Sequence, residues 1–206
     1  MDYDESLILF TLLRDPRAGA KTYQGLTRRQ ISERTGLKDE VVRDKLTTTG
    51  RGVPELREEA PYPYVSKRGN RYSVHTQTKR HLIIDPRHCR IFLQAVALAR
   101  KEHSSISAEL LAQTCEKELR MKATYLTTVI GDLVRRGYLV KDDSREEEGY
   151  EPYVSDFELE KIYYAFLLGV IQPGVLEEPR RKEQLARLDD DLFAASGVTP
   201  PQGAKQ

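Results

Sequence analysis

The segment LTRRQISERTGLKDEVVRDKL, from Leu26 to Leu46, gives the clearest indication of the fold in the first half of this 206-residue chain. Thr27, followed three residues later by Gln30, forms the capping-box pattern that starts a helix. Gly36 then predicts a tight turn, because glycine adopts a positive φ without steric cost. A second helix is expected from about Lys38. Two short helices joined by a tight turn form a helix-turn-helix motif.

The flanking sequence predicts the rest of a small domain over residues 1–82. An apolar helix precedes the motif and ends at Asp15-Pro16, since the residue before proline disfavours helical backbone. The segment from Tyr62 to His75 alternates apolar and polar residues, and Arg68-Gly69-Asn70 supplies turn residues, so it is predicted to form a β-hairpin. The predicted order is helix, helix-turn-helix, hairpin.

Residues 83–155 repeat this order. A helix from Pro86 is followed by Ser107, which can cap the next helix. The segment from Met121 to Arg136 has an apolar stripe at helical spacing, and Gly137 stops the helix before the strand Tyr138–Val140. An acidic tip and a return strand complete a second hairpin.

The run VIGDLVRRGYLV, residues 129–140, is similar to the end of the groove helix in winged-helix regulators of bacteria and archaea. The chain resembles a tandem winged-helix protein over about residues 5–155, although no motif identifies one family within that large group. The resemblance implies a mainly α fold with small β-hairpin wings (α+β), made of two winged-helix domains in tandem and followed by a long apolar helix.

That last helix is predicted from Asp156 to Ile171, and Pro173-Gly174 breaks it. It is apolar nearly all round, so it must be buried on more than one side. It either packs between the two domains of one chain or forms a dimer interface. We assign residues 156–195 to C-terminal helices and 196–206 to a disordered tail. The residues predicted to form the interdomain or dimer contact are Phe157, Ile162, Tyr163, Phe166, Leu167 and Val170.

Composition excludes several classes of protein. Apolar residues make up 39% and charged residues 32% of the chain, and no stretch reaches the roughly 18 apolar residues of a membrane span. The two cysteines, Cys89 and Cys115, cannot form a disulfide framework and fit a reducing compartment. The acidic N-terminus lacks the basic region of a secretory signal. We therefore expect a cytoplasmic protein with no membrane partner, associated with the nucleoid if it binds DNA.

Motifs for catalysis and cofactors are lacking. Lys21-Thr22 lies in a stretch that lacks two glycines of a phosphate-binding loop. His88, Cys89 and Cys115 do not repeat at zinc-ligand spacing. No Gly-x-Ser-x-Gly pattern occurs. The expectation is no enzyme, no catalytic residue, no metal and no cofactor.

Charge is unevenly distributed along the chain. Residues 1–80 carry 16 Lys or Arg against 11 Asp or Glu, whereas residues 141–206 carry 8 against 15. The basic first half can meet an anion. In a winged helix, the second helix of the motif enters the major groove and the hairpin, or wing, lies along the DNA backbone. The candidate DNA contacts of the first domain are Arg28, Arg29, Lys38, Arg43, Lys67, Arg68, Asn70 and Arg71.

The second domain is predicted to bind the DNA backbone less well, because its wing tip is acidic and repels phosphate. Its groove helix still offers Lys122, Thr124, Tyr125 and Thr128, which can bond phosphates or touch thymine methyl groups. The acidic wing can instead contact a protein.

The preferred hypothesis is a homodimeric, sequence-specific regulator that binds double-stranded DNA, with a plasmid or phage replication initiator as a variant. The alternative is a tandem winged-helix scaffold that binds protein within a chromosome or replication complex. An enzyme of unrecognised type is the third hypothesis. The salt dependence of DNA affinity separates the first two, since phosphate contacts release counterions.

Overall fold

The structure is a computed structural model that describes residues 1–18, 23–50, 64–102, 105–143 and 149–197; for residues 47–50, 77, 155 and 156 it describes the backbone alone. The described chain is mainly helical and has two small antiparallel sheets of three strands each. The predicted α+β class is therefore confirmed. Among these residues, no helix has both the length and the apolar character that crossing a membrane requires.

We call Tyr3–Val74 the first unit. Its elements are α1 (Tyr3–Leu13), β1 (Leu26–Thr27), α2 (Arg28–Thr35), α3 (Asp39–Gly50), β2 (Val65–Arg68) and β3 (Arg71–Val74). A short helix, α4 (Thr76–His81), follows it.

We call Pro86–Pro152 the second unit. Its elements are α5 (Pro86–Glu102), β4 (Ile106–Ser107), α6 (Ala108–Leu119), α7 (Ala123–Arg135), β5 (Leu139–Asp142) and β6 (Gly149–Pro152). The C-terminal elements are α8 (Val154–Leu168), α9 (Glu178–Ala186) and α10 (Leu188–Ala195).

The two units share one topology. The strand order is β1-β3-β2 in the first sheet and β4-β6-β5 in the second. Leu26 pairs with Tyr72 in the first unit as Ile106 pairs with Tyr150 in the second. This register makes positions 26 and 106 equivalent and lets the paired strand positions of one unit be matched to those of the other.

Local signals explain where the helices start and stop. Thr27 and Gln30 form the predicted capping box, and Gly36 ends α2 with a φ of 77°. The Ser107 hydroxyl accepts a hydrogen bond from the Leu110 amide at 3.1 Å at the start of α6. Gly137 follows α7 with a φ of 82°. Thr27 and Ser107 accept hydrogen bonds from amides that a helix N-terminus leaves without partners. Gly36 and Gly137 adopt the left-handed backbone conformation that commonly ends a helix.

Helix α8 packs inside the chain. It lies against α1 of the first unit, α5 of the second unit and α10. Phe166 meets the ring of Tyr3 at 5.3 Å, and Phe157 stacks on Phe193 at 5.6 Å between ring centres. Gly169, with a φ of 74°, ends the helix before the predicted break at Pro173-Gly174, because a left-handed glycine already caps it. Of the two predicted roles for this helix, packing between the units is the one observed.

Glu160 of α8 is a fully buried carboxylate at the junction of the units. It accepts hydrogen bonds from the hydroxyls of Tyr138 at 2.8 Å, Tyr164 at 2.5 Å and Tyr64 at 3.3 Å. Burial raises the pKa of the Tyr164 phenol well above its ordinary value, so Tyr164 stays a donor at neutral pH. A buried charge is tolerated only when such donors surround it.

Two of these tyrosines occupy equivalent places in the repeat. Tyr64 directly precedes β2, and Tyr138 directly precedes β5. The carbonyl of each accepts a hydrogen bond from the residue after its own hairpin, from the His75 amide at 3.0 Å and the Tyr153 amide at 2.9 Å. The two units therefore direct the same side chain at one carboxylate.

The C-terminal segment ends on an ordered helix turn. Helix α10 buries Leu188, Leu192 and Phe193, whereas α9 has no buried residue. Ser196, predicted as the first residue of the tail, is buried, and its hydroxyl donates to the Phe193 carbonyl at 2.8 Å. Residues 198–206, the rest of the predicted tail, lie outside the described residues.

Removing one hydroxyl from the Glu160 cluster tests its contribution to stability. We expect Tyr138→Phe to lower the free energy of unfolding by about 1.5–3 kcal/mol, because the carboxylate loses a charge-assisted hydrogen bond. Tyr153→Phe, at a side chain 41% exposed, is the matched control and should stay within about 0.5 kcal/mol of wild type. Urea denaturation measures both; equal stability of the two variants would contradict this role.

A second buried carboxylate makes stability depend on pH. Asp15 follows α1 and is buried; it accepts hydrogen bonds from the Arg17 amide at 2.9 Å and from the Arg34 guanidinium at 3.0 Å. The hydrogen bond from the Arg17 side chain is the main cause that lowers the pKa of Asp15 below 3.8. Because the folded-state pKa is the lower one, the stabilisation is present above the unfolded-state value and is lost as the pH falls through the folded-state value.

We therefore expect Asp15→Asn to lower the free energy of unfolding by about 1.5–3 kcal/mol at pH 7, through loss of hydrogen bonds to charged groups. The difference from wild type should hold down to about pH 4 and shrink below it. Denaturation curves from pH 7 to pH 2 measure this. A difference that does not change with pH would refute the assignment.

Candidate nucleic-acid interface

An open groove of about 330 Å³ lies on the first unit, where the starts of α2 and α3 face the β2–β3 turn. The pairing of β1 with β3 creates it, since β1 runs directly into α2 and so places the start of that helix beside the hairpin. The groove is lined by Thr27, Arg28, Arg29, Asp39, Lys67, Gly69, Asn70 and Tyr72. Four of the predicted DNA contacts, Arg28, Arg29, Lys67 and Asn70, therefore share one surface.

Each of the three cationic side chains of this groove contacts a neighbouring residue. The Arg28 Nε donates to Asp39 Oδ1 at 2.8 Å, and the Arg29 Nε donates to Glu33 Oε1 at 2.8 Å. The Lys67 ammonium lies 5.7 Å from the centre of the Tyr72 ring. All three cationic side chains remain accessible, with Arg29 88% exposed.

The start of α2 adds the field of a helix N-terminus to this groove. Thr27 caps the helix, and Arg28 and Arg29 occupy its first two positions with no acidic residue in the first turn. Backbone amides and the helix dipole favour an anion here. The groove lining thus combines three cationic side chains with the positive end of a helix and one carboxylate, Asp39.

Arg71 has a different environment from the other predicted contacts. It is half-buried, and its Nη1 donates to the Gly25 carbonyl at 3.0 Å. Gly25 has a φ of 94°, and a Cβ there would lie 2.2 Å from the Tyr72 carbonyl oxygen. Only glycine fits this approach, and Arg71 ties the loop before β1 to the hairpin. The structure therefore gives Arg71 a structural partner rather than a place in the groove.

Three further predicted contacts lie on the surface of the first unit outside the groove lining. Lys38, directly before α3, and Arg68, at the end of β2, are exposed. Arg43 is also exposed, and its Nε donates to the Asp44 carboxylate at 3.0 Å. An exposed ion pair of this kind contributes little to stability.

The four predicted contacts of the second unit differ in their exposure. Lys122, Thr124 and Thr128 are exposed, and the Thr128 hydroxyl donates to the Thr124 carbonyl of its own helix at 3.2 Å. Tyr125 is half-buried, and the Arg87 guanidinium lies 5.6 Å from its ring centre. Burial is the main cause that raises the pKa of Tyr125. Its ring packs against α5, so Tyr125 is the least accessible of these four residues.

The equivalent surface of the second unit carries fewer cations, although Lys141 occupies the position of Lys67. The shared register places Ala108 and Glu109 where the first unit has Arg28 and Arg29. It also places Asp142 where the first unit has Arg68. The rest of the acidic tip, residues 144–148, lies outside the described residues.

The residues predicted for an interdomain or dimer contact separate into two groups. Phe157, Tyr163 and Phe166 are fully buried within the chain, and the Tyr163 hydroxyl donates to the Ile83 carbonyl at 3.0 Å. Ile162, Leu167 and Val170 are half-buried and pack against the same core.

Four residues of the groove were not among the predicted contacts: Thr27, Asp39, Gly69 and Tyr72. The sequence identifies Thr27 as a helix cap and Gly69 as a turn residue, and it gives Asp39 and Tyr72 no local signal of a place in the groove. Asp39 carries a charge of the same sign as phosphate. Its pairing with Arg28 spans eleven positions of sequence, and no local pattern signals it.

Within the described parts of the chain, no group of three or more His, Cys, Asp or Glu side chains is arranged to hold a metal ion. Cys89 and Cys115 are buried, and burial raises the pKa of the Cys115 thiol to about 12. No protein-family model, curated protein or solved structure matches this chain significantly. The assignment of function therefore depends on the geometry of the groove.

The structural assignment of Arg71 is testable by comparison with its neighbour across the turn. We expect Arg71→Gln to lower the free energy of unfolding by about 1–2 kcal/mol, since the buried Gly25 carbonyl loses its donor. Arg68→Gln, at an exposed position of the same hairpin, should change it by less than about 0.5 kcal/mol. Urea denaturation of both variants decides; an equal effect would argue against the assignment.

Proposed function

We propose that the protein is a tandem winged-helix protein that binds double-stranded DNA through the groove of its first unit. In this proposal it is a sequence-specific transcriptional regulator that acts at the nucleoid, in the cytoplasm. The observation that carries this proposal is the meeting of Arg28, Arg29, Lys67 and Asn70 in one open groove. Cationic and amide side chains are among the groups that bond phosphate oxygens in protein–DNA complexes.

The element order of the first unit supports the winged-helix interpretation. Helix α2, the tight turn at Gly36 and helix α3 have the helix-turn-helix arrangement, and the β2–β3 hairpin lies beside α3 as a wing. In such proteins the second helix of the motif enters the major groove. Helix α3 would then present Lys38 and Arg43 to the duplex, while the groove between α2 and the wing would hold the backbone.

The surface residues of the second unit favour a partner other than DNA. Ala108 and Glu109 stand at the positions of the two arginines and Asp142 at that of Arg68, so of these four basic positions only that of Lys67 is still basic, as Lys141. We propose that it contacts protein, and this favours the scaffold in a chromosome or replication complex as the second candidate function. The homodimer predicted through α8 has lost its main support, because Phe157, Tyr163 and Phe166 are occupied within the chain.

Fluorescence anisotropy of a labelled random-sequence duplex, titrated with protein at several salt concentrations, tests the proposal. We expect binding that weakens steeply with salt. In Arg29→Gln/Lys67→Gln, the slope of log affinity against log salt should become shallower by about 1.8, because each phosphate that a cation neutralises accounts for about 0.9.

The matched control is Lys117→Gln/Lys182→Gln, which removes two cations that are 83% and 75% exposed on α6 and α9. It should retain the wild-type slope. An equal decrease in the two double variants would show that only net charge matters. Absence of binding at low salt would overturn the DNA proposal and leave the scaffold as the working hypothesis. If binding is present, selection from a random duplex library then identifies the preferred site.

A further inference from the structure

We propose that the groove is a preorganised clamp for one phosphate of a nucleic-acid backbone, in which Asp39 is the positioning residue for Arg28. The inference rests on the proposed function, because it concerns the same groove. It assigns to an acidic residue a role in binding an anion, which its charge alone would not indicate.

The Arg28–Asp39 pair joins the starts of two helices. Arg28 is the first residue of α2 and Asp39 the first residue of α3. Both residues line the groove and are joined there by a 2.8 Å hydrogen bond. Their side chains are about half exposed, at 44% and 50%. An exposed ion pair adds little to the stability of a fold. What the pair does determine is the direction of the guanidinium.

That direction leaves the phosphate-binding edge of Arg28 available. A guanidinium carries five N–H donors in a fixed planar fork. Asp39 accepts the hydrogen bond from Nε, so the N–H donors of the two terminal nitrogens, Nη1 and Nη2, remain for a phosphate. Two parallel N–H donors match two phosphate oxygens, and this bidentate contact is stronger than a single one. Fixing the side chain before binding also reduces the entropy lost on association.

The opposite wall of the groove is held as well. The Lys67 ammonium lies over the Tyr72 ring, and Tyr72 is packed at its carbonyl against Gly25. Arg71 holds the Gly25 carbonyl in turn. Each side of the groove therefore has contacts within the protein that orient its cation.

The balance of charge selects the ligand. The groove lining holds three cations, Arg28, Arg29 and Lys67, against the carboxylate of Asp39, and the N-terminus of α2 adds positive potential. The groove is open rather than closed around a small ion, so it suits a phosphate that belongs to a longer chain. A nucleic-acid backbone is such a chain, and its phosphates are fully ionised.

The sign of the effect of Asp39→Asn on duplex affinity tests the proposal. Removing a negative charge strengthens binding to a polyanion if charge alone matters. If Asp39 positions Arg28, the variant binds the labelled random-sequence duplex more weakly, by about threefold, the size of an exposed ion-pair interaction. Glu40→Gln is the matched control: it removes the same charge from the next residue of α3, also exposed, and should not weaken binding.

A double-mutant cycle locates the effect in the pair. In an Arg28→Gln background, Asp39→Asn should cause no further decrease in affinity. Asp39→Glu, which keeps a carboxylate, should weaken binding less than Asp39→Asn. Arg28→Lys, which keeps the charge but lacks the fork, should weaken binding by a similar factor. If circular dichroism shows that Asp39→Asn does not fold, Asp39→Glu replaces it in the cycle, and a decrease in affinity with Arg28 but not in the Arg28→Gln background supports the positioning role.

Tighter binding by Asp39→Asn, or an equal decrease with and without Arg28, would overturn the positioning role while leaving the proposed function intact. Failure of the wild-type protein to bind any duplex at low salt would instead remove the proposed function itself. The two failures are therefore distinguishable in the same titrations.

Discussion

The buried carboxylate of Glu160 is the interaction on which the arrangement of the two units depends. It is fully buried on α8 and accepts hydrogen bonds from Tyr64 of the first unit and Tyr138 of the second, as well as from Tyr164 of its own helix. A charge withdrawn from water is stable only while its donors stay in place. Moving either unit would take a hydroxyl away from Glu160, so the carboxylate favours one relative orientation of the repeats.

The two units have the same framework but differ in their surface residues. The tyrosine before the hairpin, the hydroxyl cap before the first helix of the motif and the strand order are the same in both units. The positions after the cap differ, with the exposed Arg28 and Arg29 in one unit and the half-buried Ala108 and exposed Glu109 in the other. Framework positions are constrained by packing and hydrogen bonding, whereas exposed positions affect stability little. The units can therefore have different partners on one architecture.

The groove of the first unit shows how acidic and basic residues work together at a surface. Long cationic side chains are flexible, and ordering them on binding costs entropy. Asp39 and the Tyr72 ring each hold one cation in the unbound protein. An acid near an anion site is therefore compatible with binding when it restricts a cation more than it repels the ligand.

Local sequence patterns are enough to predict the capping box at Thr27, the left-handed turn at Gly36, the Ser107 cap and two hairpins. They also predict most of the helices, although not the short helix α4, and the basic residues of the first half. These depend on backbone groups and side chains within a few residues of each other. Three features depend on long-range packing: Arg71 binds the Gly25 carbonyl, α8 packs against both units, and Glu160 accepts hydrogen bonds from tyrosines of both units. Those partners lie 22 to 96 positions apart or on separate elements, and no local pattern encodes which distant group will meet a buried charge.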